Sequence, residues 1–223
     1  MADFGQWLGE DRTPESAPRE TETKLPNGVG IAVYPNKDEY HGKIENSERV
    51  GKGVYKWWTD DAFVAEYDGE YKNNKKDGKG KMKYPDNGVY DGQWKEGFRD
   101  GQGTFKYPNG DWYKGMWLGG QKSGRGTYFS YSGQCWYMGL WKDGAFVEGE
   151  WKFKDGSCYK GNFADGMPAA GEGLFVFANG NTIKGVWVSK PLEGDALAAA
   201  EEAGKPTSTV AWVGGEVSYA VGA

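Results

Sequence analysis

From Tyr90 to Tyr107 the chain alternates ring or glycine with polar residue, turns, and alternates again. In an extended strand Tyr90, Gly92 and Trp94 share one face, and Asp91, Gln93 and Lys95 share the other. After "KEGFRD" the chain returns as "GQGTFKY", where Gly101, Gly103, Phe105 and Tyr107 alternate with Gln102, Thr104 and Lys106. A period of two on both sides of a short polar turn predicts a β-hairpin. Each strand has one face of rings and glycines and one polar face. Glycine weakens a strand interior. On the ring-bearing face it leaves room for a neighbouring ring to lie flat over the backbone, which accounts for the two residue types occurring together. "YPNG" then turns the chain, with Asn109-Gly110 suited to positive φ; Asn87-Gly88, Ser132-Gly133, Asp155-Gly156 and Asn179-Gly180 read the same way.

The hairpin is written repeatedly. "YHGKI", "YDGEY", "YDGQW", "YKGMW", "YMGLW" and "YKGNF" start at Tyr40, Tyr67, Tyr90, Tyr113, Tyr137 and Tyr159, and a worn copy, "IKGVW", starts at Ile183; successive starts lie 22 to 27 residues apart. A fixed period of this length marks a repeat array rather than one compact core. The recurring positions include Tyr67 and Gly69; Tyr90, Gly92, Trp94, Gly101 and Gly103; Tyr113, Gly115, Trp117, Gly124 and Gly126; Tyr137, Gly139 and Trp141; and Tyr159 and Gly161. Two irregularities stand out. The first full unit carries the insertion "WWTDDAFVAE", and the unit from Tyr137 is short, with Val147 at the place of the first glycine. They fit either an asymmetric partner or neutral drift.

The flanks differ. Residues 1–25 are polar and acidic and form no core of their own; within them Phe4, Trp7 and Leu8 either tuck onto the sheet end or anchor in a partner. Residues 26–188 hold the array. In residues 189–223, "GDALAAAEEAGKP" predicts a short helix capped by Asp195 and ended by Gly204. Two β-rich runs around Gly214-Gly215 then predict a hairpin. These elements either cap the last sheet edge or dock a neighbour.

Composition narrows the chemistry. Hydrophobic residues make up 38% of the chain and aromatics 16%, with 37 glycines, so large rings must supply most of the burial. A net charge of −5 disfavours nucleic acid and anionic membranes as partners. Lys72, Lys75, Lys76, Lys79, Lys81 and Lys83 crowd together, but Asp68, Glu70, Asp77 and Asp86 interleave with them. The start of the chain lacks the pattern of a signal peptide. Cys135 and Cys158 are therefore expected to be free structural thiols in a reducing compartment. His41, the one histidine, falls on a polar face. One histidine and two distant cysteines make a poor zinc site, and the Gly-x-Gly pairs lack the helix of a phosphate loop. The expectation is a non-enzyme with no metal and no cofactor.

The pattern Tyr-x-Gly-x-Trp-x-x-Gly-x-x-x-Gly-x-Gly, matched almost position by position by "YDGQWKEGFRDGQGTFKYPNG", resembles MORN repeats, over about Pro26 to Trp187. The resemblance implies an all-β fold: an elongated, single-layer, twisted antiparallel sheet of successive MORN hairpins, followed by the short helix and hairpin. It also implies a non-catalytic scaffold. Near-complete coverage by units, and the late order "YMGLWKDGAFVEGEWKFKDG" then "YKGNFADGMPAAGEGLFVF", resemble the small MORN-repeat subunits of the ciliary radial spoke head. That implies a place in the cytoplasm and cytoskeleton, in the axoneme of a cilium or flagellum. Other spoke-head proteins would be its partners, and control of motility its role. The alternatives are another ciliary or cytoskeletal MORN scaffold, or a phospholipid-binding adaptor. A last expectation concerns the polar face. Trp112 and Trp136 precede repeat tyrosines and so point away from the packed rings; Phe129 takes the outward slot that Lys106 fills one unit earlier. The three are expected to gather as a docking patch, unless the tails cover them.

Overall fold

The computed structural model describes residues 6–7, 27–59, 62–203 and 208–220. The chain divides into two compact units, 1–121 and 122–223. The first contains β1 (Gln6–Trp7), β2 (Gly28–Val33), β3 (Glu39–Glu45), β4 (Glu48–Thr59), β5 (Ala62–Lys72), β6 (Lys75–Lys83), β7 (Val89–Lys95), β8 (Phe98–Lys106) and β9 (Trp112–Leu118). The second contains β10 (Gln121–Ser130, beginning at the boundary), β11 (Cys135–Lys142), β12 (Ala145–Phe153), β13 (Cys158–Ala164), β14 (Met167–Val176), β15 (Thr182–Pro191), the helix α1 (Gly194–Glu202) and β16 (Ser208–Ser218). Within each unit every strand pairs antiparallel with the next in sequence, so each is a single-layer meander. The expected all-β hairpin architecture is what the chain adopts.

Two turn types close the hairpins. Inside a repeat the strands are joined by two residues that both take positive φ: Asn46-Ser47, Asn73-Asn74, Glu96-Gly97, Asp143-Gly144 and Asp165-Gly166. That is the type I′ geometry, whose twist matches the strands. Between repeats the loop is longer. Tyr107 N–H donates to the Asp111 carbonyl at 2.9 Å, and Gly110 N–H to the Tyr107 carbonyl at 3.1 Å. The positive φ falls on the fourth residue of this loop, which is Lys37, Asn87, Gly110, Gly156 or Gly180. At "PDNG" the left-handed residue is thus Asn87 rather than Gly88, and in the longer loop after β10 it is Gln134 rather than Gly133. Asparagine tolerates this region because its short side chain bonds locally.

The two glycines of each Gly-x-Gly have different duties. The second lies in a row that crosses the sheet strand by strand. Gly30, Gly42, Gly53, Gly69, Gly80, Gly92, Gly103 and Gly115 are successive cross-strand partners in the first unit. Gly126, Gly139, Gly149, Gly161, Gly173, Gly185 and Gly214 continue the same way in the second. The first glycine, such as Gly101 at φ 94°, sits where the register shifts between Gly92 and Trp94. It is a bulge glycine, needed for its backbone rather than for a ring.

The C-terminal extension differs from its expectation. Gly214-Gly215 makes no turn. Both lie inside β16, which pairs with β15 from Thr182↔Ser218 to Pro191↔Ser208. Gly214 is the last member of the glycine row, and the register shift near Gly185 absorbs the second glycine. The final hairpin is made by β15 and β16, with α1 in their connection. Asp195 stands in the first turn of α1 rather than at its cap, and Gly204 lies outside the described residues. At the other end, β1 pairs with β2 through Gln6↔Val33 and Trp7↔Ala32. Phe4 and Leu8 lie outside the described residues. The insertion in the first full unit lengthens β4 and β5, where Trp58 meets Phe63 edge to face at 6.0 Å.

Candidate protein-docking surfaces

The ring face is built on the glycine row. Tyr90 lies over Gly92 and Gly103: a Cβ on Gly103 would fall 2.2 Å from its Oη. Tyr40, Tyr67 and Tyr159 lie in the same way over their own glycine pairs. The hydroxyl at the end of the ring donates to the carbonyl three residues on, Tyr90 to Gln93 at 2.9 Å and Tyr113 to Met116 at 3.0 Å. Trp94 stands edge-on between Tyr67 (5.3 Å) and Tyr90 (5.1 Å), and its Nε1 donates to the Gly80 carbonyl at 3.0 Å. Trp117 repeats this between Tyr90 (5.3 Å) and Tyr113 (5.2 Å), donating to Gly103. Trp94 and Trp117 thus tie neighbouring hairpins. Tyr67, Tyr90, Tyr113, Tyr159, Trp94, Trp117 and Trp141 are all buried. Burial lifts the phenols out of their usual range, Tyr113 to about 12.

A cation completes the face. Nine residues after the repeat tyrosine stand Arg49, Lys76, Arg99 and Lys122. The Arg99 guanidinium sits 4.3 Å from the Trp117 ring centre and 5.3 Å from that of Phe105. Its Nη2 donates to the carbonyl of Gly120 at 2.6 Å, and Arg49 donates likewise to Asn74 at 3.0 Å. Lys76, one of the crowded lysines, lies on the ring face: its Nζ is 4.3 Å from the centre of Trp94 and 5.4 Å from that of Tyr67. The ring faces hold it there as a cation–π partner. Burial, with the charges of Arg99 and Arg49 beside it, pushes its pKa down to about 8.

That depression has a consequence for stability. The unfolded lysine keeps its proton up to about pH 10.4. Between pH 8 and that point the unfolded chain binds more protons, so this group's contribution rises with pH. Lys76→Met keeps length and apolar contact and removes the charge. It should raise the melting temperature at pH 7, and the gain should shrink as pH approaches 10. A pH-independent difference, or a loss at pH 7, would show that the ammonium is not under net penalty.

The fifth repeat breaks the scheme. Val147 replaces the bulge glycine, the register shift moves to Leu140/Trp141, and Phe146 stands at the cation position. Tyr137 is displaced from the glycine pair. The three atoms nearest a Cβ on Gly139, or on Gly149, are all backbone. Its ring instead stacks on Trp151, at 5.6 Å and 11°.

On the opposite face of the first unit, charges alternate across strands. Glu39, Lys56, Glu66 and Lys83 are successive partners, as are Asp68, Lys81 and Asp91. Lys75 pairs with Glu96. Lys75, Lys81 and Lys83 of the lysine cluster are therefore matched by carboxylates on neighbouring strands. His41 lies half-exposed on this face, 2.9 Å from Glu39. Trp112, half-buried, is the partner of Lys106.

In the second unit the outward positions are more apolar. Phe129 and Trp136 are cross-strand partners with ring centres 5.0 Å apart, both half-buried. Tyr131, in the following turn, is 60% exposed. The pair is thus in contact on the face expected from strand parity. Cys135 and Cys158 are buried and unbridged. Among the described residues no group of three His, Cys, Asp or Glu side chains could hold a metal ion.

The MORN repeat profile matches residues 40–57, 67–89, 90–112, 113–135, 137–158 and 159–182, more than half of the chain. The chain belongs to the MORN-repeat family. These six MORN units start at the six tyrosines of the repeated phrase; the worn copy from Ile183 is not matched. The structure shows how β15 is accommodated without its tyrosine: Trp212 of β16 lies over Gly185, with Cζ2 2.4 Å from where a Cβ would stand. No curated protein matches the chain. Among solved structures, the SAS-4 (dCPAP) TCP domain in complex with a proline-rich motif of Ana2 (dSTIL) from Drosophila melanogaster is similar. The identity is 15%, over 77% of this chain and 97% of that one, with a TM-score of 0.24. At that score the likeness carries no argument. MORN repeats mark this chain as a repeat-containing scaffold or binding protein.

Proposed function

We propose that this MORN protein is a non-catalytic structural subunit of the radial spoke head in the axoneme of a cilium or flagellum. There it docks neighbouring spoke subunits and contributes to the control of motility. The observation that carries the docking reading is the Phe129–Trp136 pair, an aromatic contact on the outward face of the second unit. Rings of this kind anchor protein partners when they are desolvated on binding. The spoke-head assignment rests on the order of the late units, a short fifth repeat followed by "YKGNFADGMPAAGEGLFVF". A sheet whose one face is locked by its own rings and cations is suited to bearing load between neighbours.

The test is the position of the tagged protein in intact axonemes, by cryo-electron tomography and cross-linking. Density in the spoke head supports the assignment, and recovery only in soluble extract removes it. Phe129→Ser with Trp136→Ser should leave the circular dichroism spectrum unchanged and abolish incorporation. Unchanged incorporation would rule the pair out as the docking site. The phospholipid alternative gains little from the charge pattern, since surface attraction needs a basic excess and Lys81 and Lys83 of β6 face carboxylates.

A further inference from the structure

Lys76 carries an amine without a counter-ion. Its Nζ lies over three rings, 4.3 Å from the centre of Trp94, 5.4 Å from that of Tyr67 and 6.0 Å from that of Trp57. Arg49 and Arg99, at the equivalent place in the units on either side, each donate to a carbonyl of the next turn. Among the described residues the Lys76 Nζ has no hydrogen-bond or ion-pair partner. The carboxylates of the adjoining residue and turn are engaged elsewhere. Asp77 accepts the Glu96 N–H at 3.2 Å, and Glu96 pairs with Lys75. Lys76 is half-buried rather than sealed off.

These surroundings favour a neutral amine. Burial, and then the charges of Arg99 on β8 and Arg49 on β4, bring its pKa to about 8. The two guanidinium groups stay charged throughout. The phenols of Tyr67 and of its cross-strand partner Tyr71, both on β5, are raised by burial and stay neutral in this range. At pH 8 about half of Lys76 is therefore unprotonated, against under about 1% of a lysine that titrates near 10.4. A weaker base is also a weaker nucleophile; a Brønsted slope of about 0.5 leaves a net advantage of about tenfold. An acylated product fits the site as well. An amide is neutral and planar, lies flat on a ring, and removes a like charge from between two arginines. Acylating Lys75 instead would break its pair with Glu96.

We infer that Lys76 is a site of acyl modification, with a small acyl thioester as donor and the amide product seated on the rings of Trp94 and Tyr67. The Nζ lone pair attacks the thioester carbonyl carbon. The N–C bond forms, the C–S bond breaks, the sulfur leaves as thiolate, and the proton shed by the nitrogen passes to the thiolate; nothing is oxidised or reduced. The modified face loses a penalised charge and keeps its rings. The inference does not depend on the spoke-head assignment, because it concerns one amine within the first unit.

The full chain is incubated with acetyl-coenzyme A between about pH 7 and 9.5, and the initial rate at each lysine is read by peptide mass spectrometry. At pH 8 Lys76 should be acetylated about tenfold faster than Lys79, an exposed lysine of the same strand. The Lys76 rate should level off above pH 8, while the Lys79 rate keeps rising. In urea-unfolded chain the preference should vanish. A rate at Lys76 no higher than at Lys79 overturns the proposal, and so does a preference that survives unfolding. Acetylated wild type should melt higher than untreated wild type. Lys76→Met treated in the same way gives the effect of acetylation at other lysines, to be subtracted. A lower melting temperature after that subtraction overturns the seating of the amide on the rings.

Discussion

Trp117→Ala should lower the unfolding free energy by about 3–5 kcal/mol, the usual range for truncating a buried aromatic. Its ring is 3% exposed and touches three others: Tyr90, Phe105 and Tyr113. It also carries the Arg99 guanidinium on its face at 4.3 Å and donates to the Gly103 carbonyl. Removing the ring strands Arg99 and opens the seam between two hairpins. In a repeat array stability is a sum of units and nearest-neighbour seams, so the loss should be local as well as large. Hydrogen exchange should show faster opening of β8 and β9, with β3 and β4 little changed. Thermal unfolding should begin roughly 10 °C lower, taking a few degrees per kcal/mol for a chain of this size. An unmoved transition would mean that this ring does not carry the seam.

The sequence displays the seam only in part. Period and parity name the hairpins and the rings, because tyrosine, tryptophan and glycine recur at fixed spacing and a two-residue alternation has one physical reading. The cations were hidden for a related reason. Binary patterning assigns Lys76 and Arg99 to solvent, yet they lie on ring faces, where the π-electrons substitute for water. A signal was present in the recurrence of Lys or Arg nine residues after the tyrosine in four units, and in its replacement by Phe146 and Pro168 in the next two. Gly214-Gly215 misled because two glycines between β-rich runs are also what a glycine row and a bulge leave behind; only the pairing with β15 separates these readings. The Phe129–Trp136 contact followed directly from parity. The place of Tyr137 did not, because it depends on a bulge one residue shorter than that between β7 and β8.

Gly103→Val should be at least as damaging as loss of a ring, although valine is the better strand former. A Cβ at residue 103 would stand 2.2 Å from the Tyr90 Oη and 2.5 Å from its Cε2 and Cζ. Neither partner can yield cheaply. The backbone is fixed on both sides by Gly92 and Gly115, and a Cβ on Gly92 would already be only 2.4 Å from the Gly103 Cα. The ring must therefore leave its seat, giving up its bond to Gln93 and its contacts with Trp94 and Trp117. The expected loss is at least about 3 kcal/mol, at the upper end of overpacking effects. Gly97→Asn is the control. Gly97 also has a positive φ, 91°, but nothing lies within 4 Å of its Cβ direction, and asparagine accepts that backbone. It should cost well under 1 kcal/mol. The decisive measurement is the double variant. If the damage comes from the clash with one ring, Tyr90→Ala removes its cause, and Tyr90→Ala with Gly103→Val should be no less stable than Tyr90→Ala alone. Additive losses in urea unfolding would show that glycine is required at 103 for the backbone itself and not as the seat of the tyrosine.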